Sequence, residues 1–247
     1  MIEVERRTPE ELFPMHEQLR AEANCQLIRD SYWKRGFLEP WALLLDGRVV
    51  GAGAIGNRHL AARVIEFFVL AEFRPHAKQL FAELLRATGA REIEAQTNVT
   101  LIAEMLQEHA SEIRTENILF GDGGTTALAA PEGAVFRRRR ETGELKVFEH
   151  KHEPDGDWVI EADGAIVATG GYLTHYNPPY ADLYMEVVEA SRRQGLGSYL
   201  IQELRRVCCE AGRRPAARCD VGNVASRRTL EKGGMMVCGE MVAGRVR

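Results

Sequence analysis

One order of elements is written twice along this chain: a hairpin, a strand, a long helix, a strand, a short helix and a returning strand, over residues 41–120 and again over 158–243. A repeat of that length restricts the fold to two similar α/β layers, because each copy carries enough elements to close a core of its own. In the first copy the apolar runs 41–45 and 49–55 flank Asp46-Gly47-Arg48, and in the second 158–161 and 165–173 flank Ala162-Asp163-Gly164. Strands at 63–70 and 183–188 lead into helices at 74–88 and 195–211, which stop at Gly89 and Gly212. Thr97-Asn98 precedes a short helix at 100–109, as Gly222-Asn223 precedes one at 225–232. The predicted fold is therefore α/β with a mixed sheet, in two tandem copies packed together. The turn-rich Gly121-Asp122-Gly123-Gly124 sets the expected boundary, giving domains 1–122 and 123–247.

The remaining stretches are less regular. Residues 9–30 have helical periodicity, with Leu12, Met15, Leu19 and Leu27 on one face, and Pro14 marks the early part as a separate turn. Strand-like content at 127–140 and 145–152 predicts a connecting ribbon.

Composition excludes several classes. The 247 residues are 45% hydrophobic and 28% charged, with net charge -4, which is globular and offers no basic face for nucleic acid. The dense run Arg137 to Arg140 is bounded by Glu141 and Glu144 and reads as a solvated strand end or turn. Five cysteines, at 25, 208, 209, 219 and 238, have no zinc-ligand spacing. With no apolar targeting or membrane-length stretch, they point to a reduced, cytoplasmic protein.

Residues 184–204 read as a strand, a glycine-containing turn and an amphipathic helix. The first amides of a helix have no intrahelical acceptor and carry the positive end of the peptide dipoles, so residues 195–198 can cradle a phosphate. Gly195 and Gly197 allow close approach, and Arg192 and Arg193 add charge at the mouth. An ordinary strand-to-helix connection with solvated arginines is the alternative at this point.

Residues 158–243 resemble the GCN5-related N-acetyltransferase (GNAT) superfamily, most closely at Arg192-Arg193-Gln194-Gly195-Leu196-Gly197, which is similar to that family's Arg/Gln-x-x-Gly-x-Gly/Ala loop. Asn223, Ser226 and Glu231-Lys232-Gly233-Gly234 stand at further matching places. The first half looks like a degenerate copy, with Glu72-Phe73-Arg74-Pro75-His76-Ala77-Lys78-Gln79 in place of the loop. The resemblance implies acetyl-CoA as cofactor, its pyrophosphate on the amides of Gln194, Gly195, Leu196, Gly197 and Ser198. The pantetheine arm would add to the strand edge at Val187 and Val188, with Asn223 and Ser226 beside it, and the thioester carbonyl would meet amides near Val187.

Transfer of an acyl group to an amine needs a neutral amine, an oriented thioester and a path for protons. Glu186 is the first candidate for proton acceptor; strand alternation sets it opposite Met185 and Val187, with Tyr184 on its own side. A solvent-facing or arginine-paired Glu186 is the alternative. The tyrosine that many members of the family use as acid is replaced by Leu230, so Ser226, Tyr199, a water or the ammonium product must protonate the thiolate. Cys219 reads as a structural cysteine and the Met235-Met236 run as core. Glu66, beside Phe67, Phe68 and Val69, reads as a packing residue, and Phe67 and Phe68 on opposite strand faces predict burial on both sides. For the acceptor, the dense connection 171–182 offers His175, Tyr176, Tyr180 and Asp182, with Tyr184 shaping the pocket.

The reading is an N-acetyltransferase acting on a primary amine of a small molecule. The alternative is a CoA or acyl-CoA sensor whose missing tyrosine reflects lost catalysis. No metal is expected, and an exposed sheet edge leaves a homodimer open.

Overall fold

A computed structural model gives the architecture for residues 1–22, 29–57, 60, 62–140, 148, 156–174 and 178–247. The chain divides into two compact units, Met1–Asn117 with Gly239–Arg247, and Ile118–Cys238. The expected boundary at the glycine turn thus lies earlier, at 117/118, and residues 239–247 return to the first unit. The reason is strand continuity: β6 (Ala110–Asp122) and β12 (Met235–Val246) each run unbroken through a division point. An extended strand gives no compositional sign of where its neighbours change.

The first unit contains β1 (Ile2–Arg6), α1 (Pro9–Glu22), α2 (Arg29–Lys34), β2 (Leu38–Leu45), β3 (Arg48–Gly56), β4 (Arg63–Val69), α3 (Ala77–Thr88), β5 (Glu92–Gln96) and α4 (Thr100–His109). Its strands lie in the order β1-β2-β3-β4-β5-β12-β6. Phe67 on β4 meets Phe81 on α3 edge to face, with ring centroids 4.8 Å apart, in a core with Leu80, Leu84, Ile93 and Met105. Truncating Phe81 to Ala would cost about 3–5 kcal/mol. Phe68 is buried on the other face, as the sequence predicted. Glu66 is buried there too, accepting from Trp33 Nε1 at 2.9 Å and lying 3.2 Å from His16 Nδ1. Pro14 does not separate an early turn; α1 runs through it and buries Leu12, His16 and Leu19. A proline this near the helix start forfeits one hydrogen bond, and the buried stripe outweighs the loss.

The second unit contains β7 (Ala134–Arg138), β8 (Trp158–Ala162), β9 (Ala165–Leu173), β10 (Tyr180–Val187), α5 (Leu196–Glu210), β11 (Arg214–Asp220) and α6 (Val224–Lys232). Its strand order is β12-β6-β11-β10-β9-β8-β7. The ribbon expected over 127–140 reduces to β7, and the stretch expected at 145–152 falls outside the described residues except for Phe148. One face of α5 supplies Leu196, Leu200, Ile201, Leu204 and Cys208 to the core, with Ala217 and Leu230 opposite. Buried Arg205 reaches from α5 to Gly233 O at 2.8 Å and Thr126 Oγ1 at 3.1 Å, and pairs with Asp122. Those bonds satisfy a buried cation and fix where α6 ends.

The two hairpins agree in detail. Asp46 and Gly47 have φ of 51° and 76°, and Asp163 and Gly164 have 49° and 77°, the left-handed pair of a two-residue turn. Each hairpin then skips one residue in register, Val50 in β3 and Val167 in β9. A shared turn explains a shared register; a bulge at the same distance from it is a further, independent likeness.

Candidate active site

Strands β10 and β11 start as a parallel pair, Tyr180↔Arg214 to Asp182↔Ala216, and the pairing ends there. Beyond it the two strands part. Backbone groups of successive strand residues point to opposite edges. Pro179 O accepts from Arg214 on β11, whereas Val188 N–H donates to Val167 O at 2.9 Å on the other side. Odd-numbered residues therefore aim their amides and carbonyls at the opening, which puts Met185 and Val187 there. Val188 corrects the expectation that it would take the arm: its amide is already bonded to β9.

The chain leaves β10 through a 3-10 turn, Glu189–Ser191, and enters α5. Arg193 (φ 64°) and Gly195 (φ 85°) are both left-handed, which gathers neighbouring amides into a concave run. Tyr199 N–H to Gly195 O at 3.0 Å is the first helical bond, and no side chain caps the helix. The amides of Leu196, Gly197 and Ser198 thus stand ahead of the first i→i−4 bond. Gln194, Arg192 and Arg193 are exposed, while Leu196 and Ser198 are buried and hold the helix start in place. Arg192 does more than add charge at the mouth: its Nε donates to Val187 O at 3.1 Å.

Gly197 lies where α5 comes close to its neighbours. A Cβ there would lie 3.1 Å from Thr229 Cγ2, 3.4 Å from Met185 Cε and 3.6 Å from Val187 Cγ2. Met185 and Val187 therefore face α5, and alternation sends Tyr184 and Glu186 to the opposite face. Glu186 is partly exposed and sits opposite Thr169 on β9. Thr169 is buried, with its hydroxyl bonded to Trp158 O at 3.2 Å. Tyr184 is buried and leans across Gly171, whose missing Cβ leaves the space its phenol occupies.

Asn223 caps α6, its Oδ1 accepting from Ser226 N–H at 3.0 Å. Burial and then Asp220 push the Cys219 thiol up, against a smaller downward pull from Ser226. A buried thiol held protonated is a poor nucleophile, which agrees with a structural Cys219. The Tyr199 phenol is raised by burial and then by Glu203, so it keeps its proton at neutral pH. Leu230 is buried in the core of the unit, filling with hydrocarbon the place where the resemblance expects a phenol.

The acceptor candidates are spread out. Asp182 lies four residues from Glu186, roughly 13 Å along a strand, and Tyr180 farther still. Asp182 is buried, with Oδ2 at 3.5 Å from Arg218 Nε. That pair joins the last paired residue of β10 to a residue of β11 beyond the last paired step. His175 and Tyr176 lie outside the described residues. Sequence reasoning missed the Arg192 contact, Thr169 and Phe148, which packs on Val159 with Ile166 and Val188 alongside. A lone phenylalanine in a charged run carries no signal of burial. Among the described residues there is no cluster of His, Cys, Asp and Glu suited to a metal, and no helix long and apolar enough to cross a membrane.

The acetyltransferase (GNAT) family profile matches residues 127–235, the stretch that carries this site. The fold of the chain is similar to that of an acetyltransferase from the GNAT family of Colwellia psychrerythraea, at 13% identity over 99% of this chain and 100% of that one, with a TM-score of 0.79. It is also similar to a tandem GNAT protein from the clavulanic acid biosynthesis pathway, at 16% identity over 99% and 98% of the two chains, TM-score 0.60. A GCN5-related N-acetyltransferase from Sphaerobacter thermophilus matches at 14% identity over 99% and 95%, TM-score 0.60. At such identities the likeness is one of fold. No curated protein matches the chain.

Proposed function

Taking residues 127–235 as a segment of the GNAT family, we propose that this protein is an acetyl-CoA-dependent N-acetyltransferase acting on a primary amine of a small molecule by direct transfer. One observation carries the reading. The open amides at the start of α5 stand beside the parting of β10 and β11, where the Val187 backbone points into the gap. An anion cradle next to an unpaired strand edge suits a ligand with a phosphate end and an amide-bearing arm. Gln194, Gly195, Leu196, Gly197 and Ser198 would hold the pyrophosphate, and Met185 and Val187 would pair with the arm.

In the transfer the amine nitrogen bonds to the acyl carbon, the carbon–sulfur bond breaks, the nitrogen loses a proton and the sulfur gains one. Glu186, on the face of β10 away from α5, is the acceptor of the first proton. Tyr199 and Ser226 are the hydroxyl candidates for the second, Tyr199 because its phenol stays protonated. The first half serves as a degenerate copy without a cradle of its own.

Leu230 favours a second reading, a CoA-binding protein that does not turn over. Release of free thiol from acetyl-CoA with a panel of primary amines separates the two. Amine-dependent thiol release is the expected result; tight binding of acetyl-CoA with no release for any amine would leave the binding protein.

A further inference from the structure

We propose that Arg192 acts as a positioning residue, clamping the end of β10 to the start of the phosphate loop, and that this bond, rather than an ion pair with phosphate, is what it contributes to coenzyme binding. The inference rests on the reading of residues 194–198 as the phosphate site.

The argument comes from a contact made twice. In the second unit Arg192 Nε donates to Val187 O at 3.1 Å, and the same peptide turns its N–H, on Val188, to Val167 O at 2.9 Å. In the first unit Arg74 Nε donates to Val69 O at 3.4 Å, and Leu70 N–H, on that peptide, donates to Val50 O at 2.9 Å. Val167 and Val50 are the skipped residues of the two hairpins. The chain guanidinium, strand-end peptide, bulge carbonyl is therefore complete in both units, with the arginine five residues beyond the carbonyl each time.

The first unit has nothing for a phosphate at that place. Pro75 follows Arg74, where Arg193 follows Arg192; proline has no N–H and its ring fixes φ near −65°, so the left-handed turn cannot form. A 3-10 turn, Ala71–His76, runs directly into α3, and Ala77 at the head of that helix has φ of −55°. The arginine contact thus occurs with and without a cradle. What the units share is the junction of a bulged hairpin, a strand end and a helix start, and that junction is what the contact holds.

The consequence for the site is specific. With its carbonyl taken by Arg192, Val187 offers a ligand only its N–H. The helix start is tied to the strand edge, so the amides that receive phosphate and the amide that receives the arm keep one spacing. Pre-setting that spacing removes an ordering cost from binding.

Glutamine separates the two roles. Its Nε2 is the same number of bonds from Cα as the arginine Nε, so Arg192→Gln can keep the bond to Val187 O while losing the charged tip that a phosphate would meet. In the free protein, Arg192→Ala should speed amide exchange at Val188 and Arg192→Gln should restore it, with Arg74→Ala acting alike at Leu70. In titrations with CoA, Arg192→Ala should weaken binding on the order of tenfold, the scale of one hydrogen bond, and Arg192→Gln should recover most of that loss. The dependence of affinity on salt should be equally shallow in Arg192→Ala and Arg192→Gln, which lose the same charge, so the affinity recovered by Arg192→Gln reports the bond to Val187 O. Unchanged exchange at Val188 in Arg192→Ala overturns the clamp whether or not CoA binds. Equal losses of affinity in Arg192→Ala and Arg192→Gln overturn it in favour of a charge contact with phosphate. Failure of the wild-type protein to bind CoA is a different result and strikes the reading of the cradle itself.

Discussion

Gly197 and Thr229 approach so closely that a Cβ on the glycine would stand 3.1 Å from the threonine methyl. Helix α5 and helix α6 meet there closely enough that a side chain would have to push the threonine methyl back, with Met185 and Val187 in contact on the other side. Gly197→Ala should cost about 1–3 kcal/mol of stability through overpacking. Urea unfolding measures it; an unchanged midpoint would show that α6 can move aside. A tryptophan at 197 would disrupt this packing, so loss of binding in that variant would report on the fold as well as on the loop.

Glu186 is the proposed proton acceptor, and an amide in its place cannot take the proton that the amine must lose. Glu186→Gln should lower kcat about tenfold or more while leaving acetyl-CoA affinity near its original value. Steady-state kinetics with a reactive amine beside a CoA titration is the test, and an unchanged kcat in the variant would assign the base elsewhere.

The buried cysteines give stability a dependence at high pH. Burial pushes the Cys208 thiol up from 9.0 to about 12. A raised thiol pKa favours the folded state below the unfolded pKa, and this stabilisation is lost as pH climbs from 9 towards 12. Denaturation midpoints should fall across that range, and Cys208→Ala should flatten the fall. Alkylation at neutral pH should leave Cys208 and Cys219 unmodified in the folded protein; rapid labelling of Cys219 would point to a reactive thiol beside the site.

In the first unit Arg63 joins three carboxylates, at 2.8 Å from Glu92, 2.8 Å from Glu94 and 3.2 Å from Glu116. Glu94 is 2% exposed on its side chain. Arg63→Ala takes the guanidinium from a carboxylate held out of water and should cost about 3–5 kcal/mol. Thermal unfolding at neutral pH reads the loss. A loss of under about 1 kcal/mol would place this network with surface ion pairs.

How far the sequence carries is visible at particular residues. Asp46-Gly47 and Asp163-Gly164 announce their hairpins because a two-residue turn demands left-handed backbone, which few residues provide. The stop of α3 at Gly89 and the cap of α6 at Asn223 are legible for the same local reason. The division of β6 and β12 between the two units is not, because it depends on long-range packing and leaves no mark on either strand. Val188 shows the same limit at the site. Its placement beside the opening is readable, but which edge its amide serves follows from the bulge at Val167. Asp182 reads as an acceptor candidate in sequence, but nothing there shows that Arg218 on the adjacent strand comes within 3.5 Å of it. Long-range partners decide such roles.

The central claim is that the amides ahead of the first turn of α5 form a coenzyme site. Calorimetric titration with acetyl-CoA, on the wild-type protein and on Gln194→Glu, tests it most directly. Gln194 is exposed, so the substitution adds a negative charge at the cradle while leaving the core intact. The expected result is one molecule bound per chain, with affinity reduced at least tenfold in Gln194→Glu. Absence of binding, or binding that the added carboxylate leaves unchanged, would contradict the assignment.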